Sequence, residues 1–391
     1  MQDLKVVVIG AGIGGLTTGI ALKQLGYEVE IYDRVSELRP AGAGISLWSN
    51  GVKVLNQLGL GEEMAAIGGQ MNRMEYRSHK DESLANIPLE PLFERVGQRP
   101  YPVARTDLQK MLLTAFGEDN VHLKMKCVEV LQSEKEATAI FEDGSTATGD
   151  LVIGADGIHS MTRAYVLGKP IDLRYAGYVN WNGLVNADSM LCEADNWVLY
   201  VGEGKRASMM PVGGDRFYFF FGVPMDREKA RGTETAPEDR REELSRYFAD
   251  WPTAVQSLIK ALDPTQTNRL EICDIDPPER LVKGRIAVLG DSAHATTPTL
   301  GQGGCQAMED ALMLSRYLVT TNISVEDALL RYEKARKSRT ADLVMKARKR
   351  TDTIYGKDER VTQDWYAQLK EEKPEDVINA LEKIIVGGPL G

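Results

Sequence analysis

Leu4-Lys5-Val6-Val7-Val8-Ile9-Gly10-Ala11-Gly12-Ile13-Gly14-Gly15 is the stretch that decides the fold. The apolar run from Leu4 to Ile9 reads as a buried strand, and it passes directly into glycines spaced G-x-G-x-x-G. Leu16 to Leu25 has helical character, and Tyr27 to Tyr32 alternates as a second strand. This is a βαβ unit, and such units impose a parallel sheet covered by helices. Gly10 permits the tight turn, and Gly12 lets a pyrophosphate approach the backbone. Gly15 allows close packing of helix on strand. Gly14 completes the candidate nucleotide contacts, and the helix N-terminus faces the phosphates. Asp33 follows Gly15 by 18 positions, at the end of the second strand. A carboxylate there can accept both hydroxyls of an adenosine ribose and disfavours a 2′-phosphate. The fingerprint leaves FAD and NAD both open.

Outward from this unit the pattern changes. Tyr175 to Val185, Asn196 to Val201, Arg206 to Val212 and Arg216 to Val223 are strand-like runs rich in aromatics and valine. They predict an antiparallel sheet. Parallel-sheet character returns at Gly284 to Leu289, and Gly304 to about Ile385 reads as mostly helical and charged. The expected class is therefore α/β: a Rossmann-like nucleotide domain interrupted by an antiparallel β-sheet substrate domain, with a helical C-terminal region. We assign 1–72, 101–172 and 274–325 to the first, 73–100 and 173–273 to the second, and 326–391 to the third.

Composition bounds the function. The 391 residues are 43% hydrophobic and 27% charged, an ordinary globular balance, and the net charge of −10 argues against a general nucleic-acid binder. Four cysteines and four histidines are scattered without metal-ligand spacing, so no metal and no disulfide framework is expected. Val6 to Ile9 is too short for a signal peptide, and no stretch approaches a membrane span. A cytoplasmic location is expected, with no membrane partner. Arg331, Arg336, Arg339 and the run Lys346 to Arg350 read as a solvated helix face.

Two further motifs bear on the nucleotide. Asp150-Leu151-Val152-Ile153-Gly154-Ala155-Asp156-Gly157 ends a buried strand in an Asp-Gly turn. Gly284-Arg285-Ile286-Ala287-Val288-Leu289-Gly290-Asp291 runs on through Pro298 to Gly301-Gln302-Gly303-Gly304. With the first fingerprint, this set resembles the single-component flavoprotein aromatic hydroxylases, the p-hydroxybenzoate hydroxylase class, over nearly the whole chain. The resemblance implies non-covalent FAD and NADH as co-substrate. It implies that Asp291 bonds the ribityl chain, that Asp156 lies near the pyrophosphate, and that Pro298 walls the flavin ring. It also implies that Arg105 contacts the cofactor from a helix start. Gly301, Gln302, Gly303, Gly304 and Cys305 open a helix toward the flavin pyrimidine edge, where backbone N–H groups stabilise negative charge. Arg34, Ser46, Trp48 and Val128 complete the expected cofactor contacts. In this class reduced flavin and O₂ form a C4a-hydroperoxide that transfers OH to an electron-rich ring carbon. The protein then needs no nucleophile of its own.

The sheet domain should choose the substrate. Alternation places Tyr178, Asn180 and Asn182 on one face of their strand, and Val179, Trp181 and Val185 on the other. If Gly213-Gly214-Asp215 forms a three-residue turn, Met210 faces Tyr218, and Arg206 shares a face with Tyr218 and Phe220. A two-residue turn would separate them. From spacing alone Arg206 also reads as a strand-edge arginine, Tyr218 as a core aromatic and Asn180 as a turn residue. The stretches Tyr175 to Val185 and Val201 to Phe221, however, resemble the bacterial FAD-dependent urate hydroxylases. That resemblance implies urate as substrate, with Asn180, Arg206 and Tyr218 contacting it and Arg206 and Tyr218 serving catalysis. The implied reaction is urate, NADH and O₂ to 5-hydroxyisourate, NAD⁺ and water. Thr299 departs from the pattern, because these hydroxylases can carry aspartate there. A threonine takes no proton at neutral pH, so it is expected only as a substrate contact. Two alternatives stand beside this reading: a hydroxylase of the same class acting on a benzoate- or pyridine-type acid, and a flavin reductase without oxygen insertion.

Overall fold

The computed structural model describes residues 4–38, 43–232, 236–320 and 322–391. Its first sheet has six strands in the order Val282–Lys283, Ile286–Val288, Leu151–Gly154, Lys5–Ile9, Glu28–Tyr32, Val121–His122, parallel except at the first pair. Lys5–Ile9 lies at the centre, and its valines are fully buried, as a strand covered on both faces must be. Its neighbours are the next strand in sequence on one side and the distant Leu151–Gly154 on the other. The strand order reverses there, and open α/β sheets bind ligands outside the carboxyl ends of the strands at such a point.

The second sheet has seven strands: Asn268–Asp274, Arg174–Asn186, Arg216–Pro224, Lys205–Val212, Asn196–Gly202, Arg73–Ser78 and Ser83–Pro88. All pairs are antiparallel except Asn196–Gly202 with Arg73–Ser78. Its two faces differ. Val179, Trp181, Phe217, Phe219 and Phe221 sit in a core closed by the helices Arg240–Tyr247 and Thr253–Ala261. Burying each such side chain contributes about 1.5–3 kcal/mol. The opposite face carries Tyr178, Asn180, Asn182, Arg206 and Ser208, all buried, and packs toward the nucleotide sheet. Phe217, Phe219 and Phe221 thus face one way and Tyr218 and Phe220 the other, as a two-residue period requires.

The C-terminal helices Val325–Ile354, Glu359–Glu371 and Pro374–Ile385 wrap both units. Here the expected solvated face holds for Arg331, Lys346 and Lys349, which are exposed, and fails for the arginines between them that turn inward. Arg336 is 1% exposed and pairs with Glu309 and Asp310 at 2.6 Å each. Arg339 pairs with Glu309, and Arg348 joins Arg174 on the fully buried Asp274. Arg350 lies over Trp365. Tyr332, Arg336, Thr340, Leu343, Ala347, Thr351 and Ile354 recur at three- and four-residue spacing and form the buried stripe. An arginine stands in that stripe because two carboxylates on the facing helix await it. Charge counting along one helix does not see them. Among the described residues no helix is long and apolar enough to cross a membrane, and no cluster of His, Cys, Asp or Glu could hold a metal.

Candidate functional site

The glycine turn is built for close approach. A Cβ on Gly15 would stand 1.9 Å from the Gly10 carbonyl oxygen, so only glycine lets the helix Ile13–Gln24 sit on the strand. Gly10 has φ +110°, and a Cβ there would meet the Ala155 carbonyl at 2.2 Å. At Gly12, by contrast, a Cβ would meet nothing within 4 Å. Gly12 caps the helix without a side-chain hydrogen bond, so the first-turn N–H groups are left for a ligand in that space. Asp33 accepts the Ala11 N–H at 2.7 Å and the Val35 N–H at 3.0 Å, one through each oxygen. It therefore shapes the turn while keeping lone pairs for a ribose. Gln109, which the sequence did not single out, donates to the Ala11 carbonyl at 3.0 Å. Arg34, beside Asp33, is exposed.

Two more loops meet the turn, and buried side chains clamp them together. The Asp156 carboxylate accepts from Ser160 Oγ, the Met161 and Thr162 N–H groups and Ser292 Oγ, at 2.5–3.1 Å. Its side chain thus holds the loop. Ser292 also accepts the Gly157 N–H at 2.8 Å, and Arg163 donates to Ile158 and Ser292 carbonyls. Asp310 accepts the Gly290 N–H at 2.9 Å, His294 Nε2 and Arg336 Nε. Burial alone would raise the Asp310 pKa, but the adjacent His294 and Arg336 outweigh it and hold it at about 2. Asp291, next to Gly290, is exposed and keeps its carboxylate toward the start of the helix Gly303–Leu318. A Cβ on Gly303 would lie 3.9 Å from its Oδ1. That helix has no side-chain cap and no acid in its first turn. Gly301 has φ +63° and packs where a Cβ would strike Ser46 Oγ at 2.5 Å and Trp48 Nε1 at 2.7 Å. Pro298 is exposed beside it. Gln302 is buried and accepts from Asn50 at 2.9 Å. The structure so brings Ser46, Trp48, Asp291, Pro298 and Gly301–Gly304 together.

Three positions behave differently from their neighbours. Cys305 turns its thiol into the core near Trp48 and Gly51, where burial pushes it up to about 12; only its backbone can serve a ligand. Val128 lies on the strand Cys127–Gln132 of a separate three-stranded sheet and is 44% exposed. The Thr299 hydroxyl donates to the Ala347 carbonyl at 2.9 Å and adjoins Thr297 and Thr351. Its one donor is thus committed to the helix Val325–Ile354, which leaves only its lone pairs for a ligand N–H.

On the sheet, Met210 pairs with Tyr218 and Val212 with Arg216, the register of a three-residue turn, with Asp215 at φ +51°. Asn180, Gly222 and Arg206 form one cross-strand row; Asn182, Phe220 and Ser208 the next; Leu184, Tyr218 and Met210 the third. The predicted polar residues therefore share a face. Asn182 donates to the Asn180 carbonyl at 2.8 Å, which leaves the Asn180 amide hydrogens for another acceptor. Arg206 is 6% exposed, lies over the Phe220 ring at 5.3 Å, and has an unpartnered Nε. Among the described residues no carboxylate pairs with it. Burial raises the Tyr218 pKa to about 12 against the opposing Arg105 charge, so the phenol stays neutral. Arg105 starts the helix Arg105–Phe116, and its N–H bonds the Ala43 carbonyl, while the Ala43 N–H bonds Asn182. The strand Gly44–Leu47 then joins the two regions, since Gly44 lies flat on the Tyr218 ring and Ser46 reaches Gly301. Tyr355 on the C-terminal arm also enters this face. No local pattern marks it.

A nucleotide cradle at a strand-order reversal, facing a polar sheet that holds a buried arginine without a carboxylate partner, fits an FAD-binding flavoprotein. Residues 3–347 match the family model described as FAD binding domain. The chain is 49% identical over 389 residues to a FAD-dependent urate hydroxylase of Klebsiella pneumoniae, covering 99% of this chain and 100% of the other. It is 50% identical over 390 residues to one of Mycolicibacterium vanbaalenii, covering 99% and 98%. The crystal structure of Klebsiella pneumoniae HpxO complexed with FAD and uric acid superimposes with a TM-score of 0.95 at 48% identity, covering 99% of this chain and 98% of that one. The chain belongs to the FAD-dependent urate hydroxylase family.

Proposed function

We propose that this protein hydroxylates urate to 5-hydroxyisourate, consuming NADH, a proton and O₂ and releasing NAD⁺ and water. The observation that carries the reading is Arg206: a buried cation without a carboxylate, on the sheet face that meets the cofactor cradle. Burying a charge unpaired costs several kcal/mol, and an anionic ligand removes that cost. Urate is a planar anion, and a guanidinium offers it a planar pair of charge-assisted donors. The uncommitted Asn180 amide and the neutral Tyr218 phenol suit carbonyl and N–H groups around the purine rim.

The residues present fit FAD. Gly12 with the open helix start would take the pyrophosphate, Asp33 the ribose and Asp291 the ribityl chain, while Gly14 lets the helix pack on Leu289 and Ala307. Trp48, Pro298 and Gly301–Gly304 would surround the ring. When bound and reduced by NADH, the flavin supplies the activated oxygen. The chain's own part is to bind urate, hold its C5 toward the ring, exclude water and place helix N–H groups where negative charge develops. We assign no protein general base. The resemblance in sequence and fold to the urate hydroxylases supports this substrate over benzoate- or pyridine-type acids. The test is NADH oxidation and O₂ uptake with urate, salicylate or 6-hydroxynicotinate, together with product identification. Urate should stimulate both in equal amounts and give 5-hydroxyisourate. Stimulation by an aromatic acid alone would overturn the substrate, and NADH oxidation without O₂ uptake would overturn the monooxygenase.

A further inference from the structure

We propose that Tyr355, at the end of the long C-terminal helix, is a positioning residue that fixes the Arg206 guanidinium for the anionic substrate. This rests on the reading of Arg206 given above. The row Asn180–Gly222–Arg206 has a gap at its centre, because Gly222 has no side chain. The Tyr355 phenol fills it: a Cβ on Gly222 would stand 2.3 Å from the Tyr355 hydroxyl oxygen. The ring is held in turn. It stacks on Tyr178, with centroids 3.7 Å apart and planes 14° apart, and Tyr178 lies one pleat from Asn180 on the same face. Both tyrosines are buried, at 1% and 6% exposure. Tyr355 caps the helix Val325–Ile354, its N–H bonding the Thr351 carbonyl at 3.0 Å. From the next helix, Tyr366 accepts the Gly204 N–H at 3.1 Å, which ties the arm to the turn just before Arg206.

The choice of phenol has a physical reason. A carboxylate beside Arg206 would hold it firmly but cancel the charge that attracts the substrate. A neutral phenol oxygen accepts from the guanidinium and leaves its charge intact. Burial raises the Tyr355 pKa, with the Arg206 charge opposing, so the hydroxyl keeps its proton at neutral pH. On the other side Phe220 supports the guanidinium through its ring face.

The experiment is a double-variant cycle on the FAD-loaded enzyme with Tyr355→Phe, Arg206→Gln and both together. It reads urate affinity from the flavin absorbance change without NADH, then KM, kcat and peroxide per NADH. Tyr355→Phe keeps the stack on Tyr178 and should retain FAD. Its urate affinity should fall roughly tenfold, in the range of a hydrogen bond to a charged group, and peroxide yield should rise. In the Arg206→Gln background the same change should do nothing further, because the group it positions is gone. Gly222→Ala, which drives a methyl against the phenol, should reproduce the Tyr355→Phe loss. An unchanged urate affinity in Tyr355→Phe, with Arg206→Gln weakened, overturns the positioning role and leaves the function standing. Equal losses in both backgrounds also overturn it, since Tyr355 would then act independently. No loss in Arg206→Gln overturns the reading of Arg206 itself.

Discussion

Arg206 concentrates the residue-scale argument. Replacing it with glutamine keeps hydrogen-bonding ability and removes the charge, so urate KM should rise by roughly one to two decades. A ring misplaced by about 1 Å loses up to a further hundredfold in the oxygen-transfer step, and reducing equivalents should then escape as hydrogen peroxide. Product and peroxide per NADH at saturating urate check this; unchanged coupling and KM would place Arg206 outside the site. Gly12 gives a second expectation. Its Cβ position is open in the protein alone, so Gly12→Val should fold yet fail to retain FAD. Flavin absorbance after purification, beside an unfolding curve like the wild type's, decides it. The side-chain directions of Thr299 and Cys305 were not legible in the sequence, because they depend on what a distant helix offers each group.

Elements act here through their termini and through the charges between them. The helix Gly303–Leu318 presents open N–H groups at one end, while Glu309 and Asp310 on its flank hold Arg336 of the neighbouring helix. Removing Arg336 leaves two buried carboxylates short of a partner, so Arg336→Met should destabilise the fold by about 3–5 kcal/mol. A denaturant titration measures it. Asp310 also sets an acid limit. Its pKa in the fold, about 2, is below the ordinary 3.8, so its contribution is fully present above about pH 4 and is lost as pH falls toward 2. That contribution is on the order of 2 kcal/mol. Because Asp310 also holds Gly290 beside Asp291, FAD release should accompany this loss. A pH titration of stability should lose that slope in Asp310→Asn.

At the scale of the whole molecule, the cradle gathers segments from Gly10 to Cys305, joined by few covalent constraints, so the cofactor itself should tie them. With FAD at a hundredfold excess over its dissociation constant, binding adds about 2.7 kcal/mol. Stripping the flavin should therefore lower the melting temperature by a few degrees, and adding it back should restore it. A melting curve indifferent to FAD would mean the loops close without it.

The sequence alone determined the βαβ entry, the nucleotide turn and the strand runs of the second sheet. Their signals are local: glycines where a Cβ cannot fit, apolar runs with period two, and Asp33 at a fixed distance. It also left the turn Gly213-Gly214-Asp215 as an explicit choice between two registers, and only one puts Arg206 and Tyr218 together. Tertiary structure decided that register, the burial of Arg336, the pairing of Arg348 with Asp274, and the entry of Tyr355. The last three depend on partners far away along the chain. A helix pattern shows where an arginine points, but whether a carboxylate waits there is settled only when two helices pack.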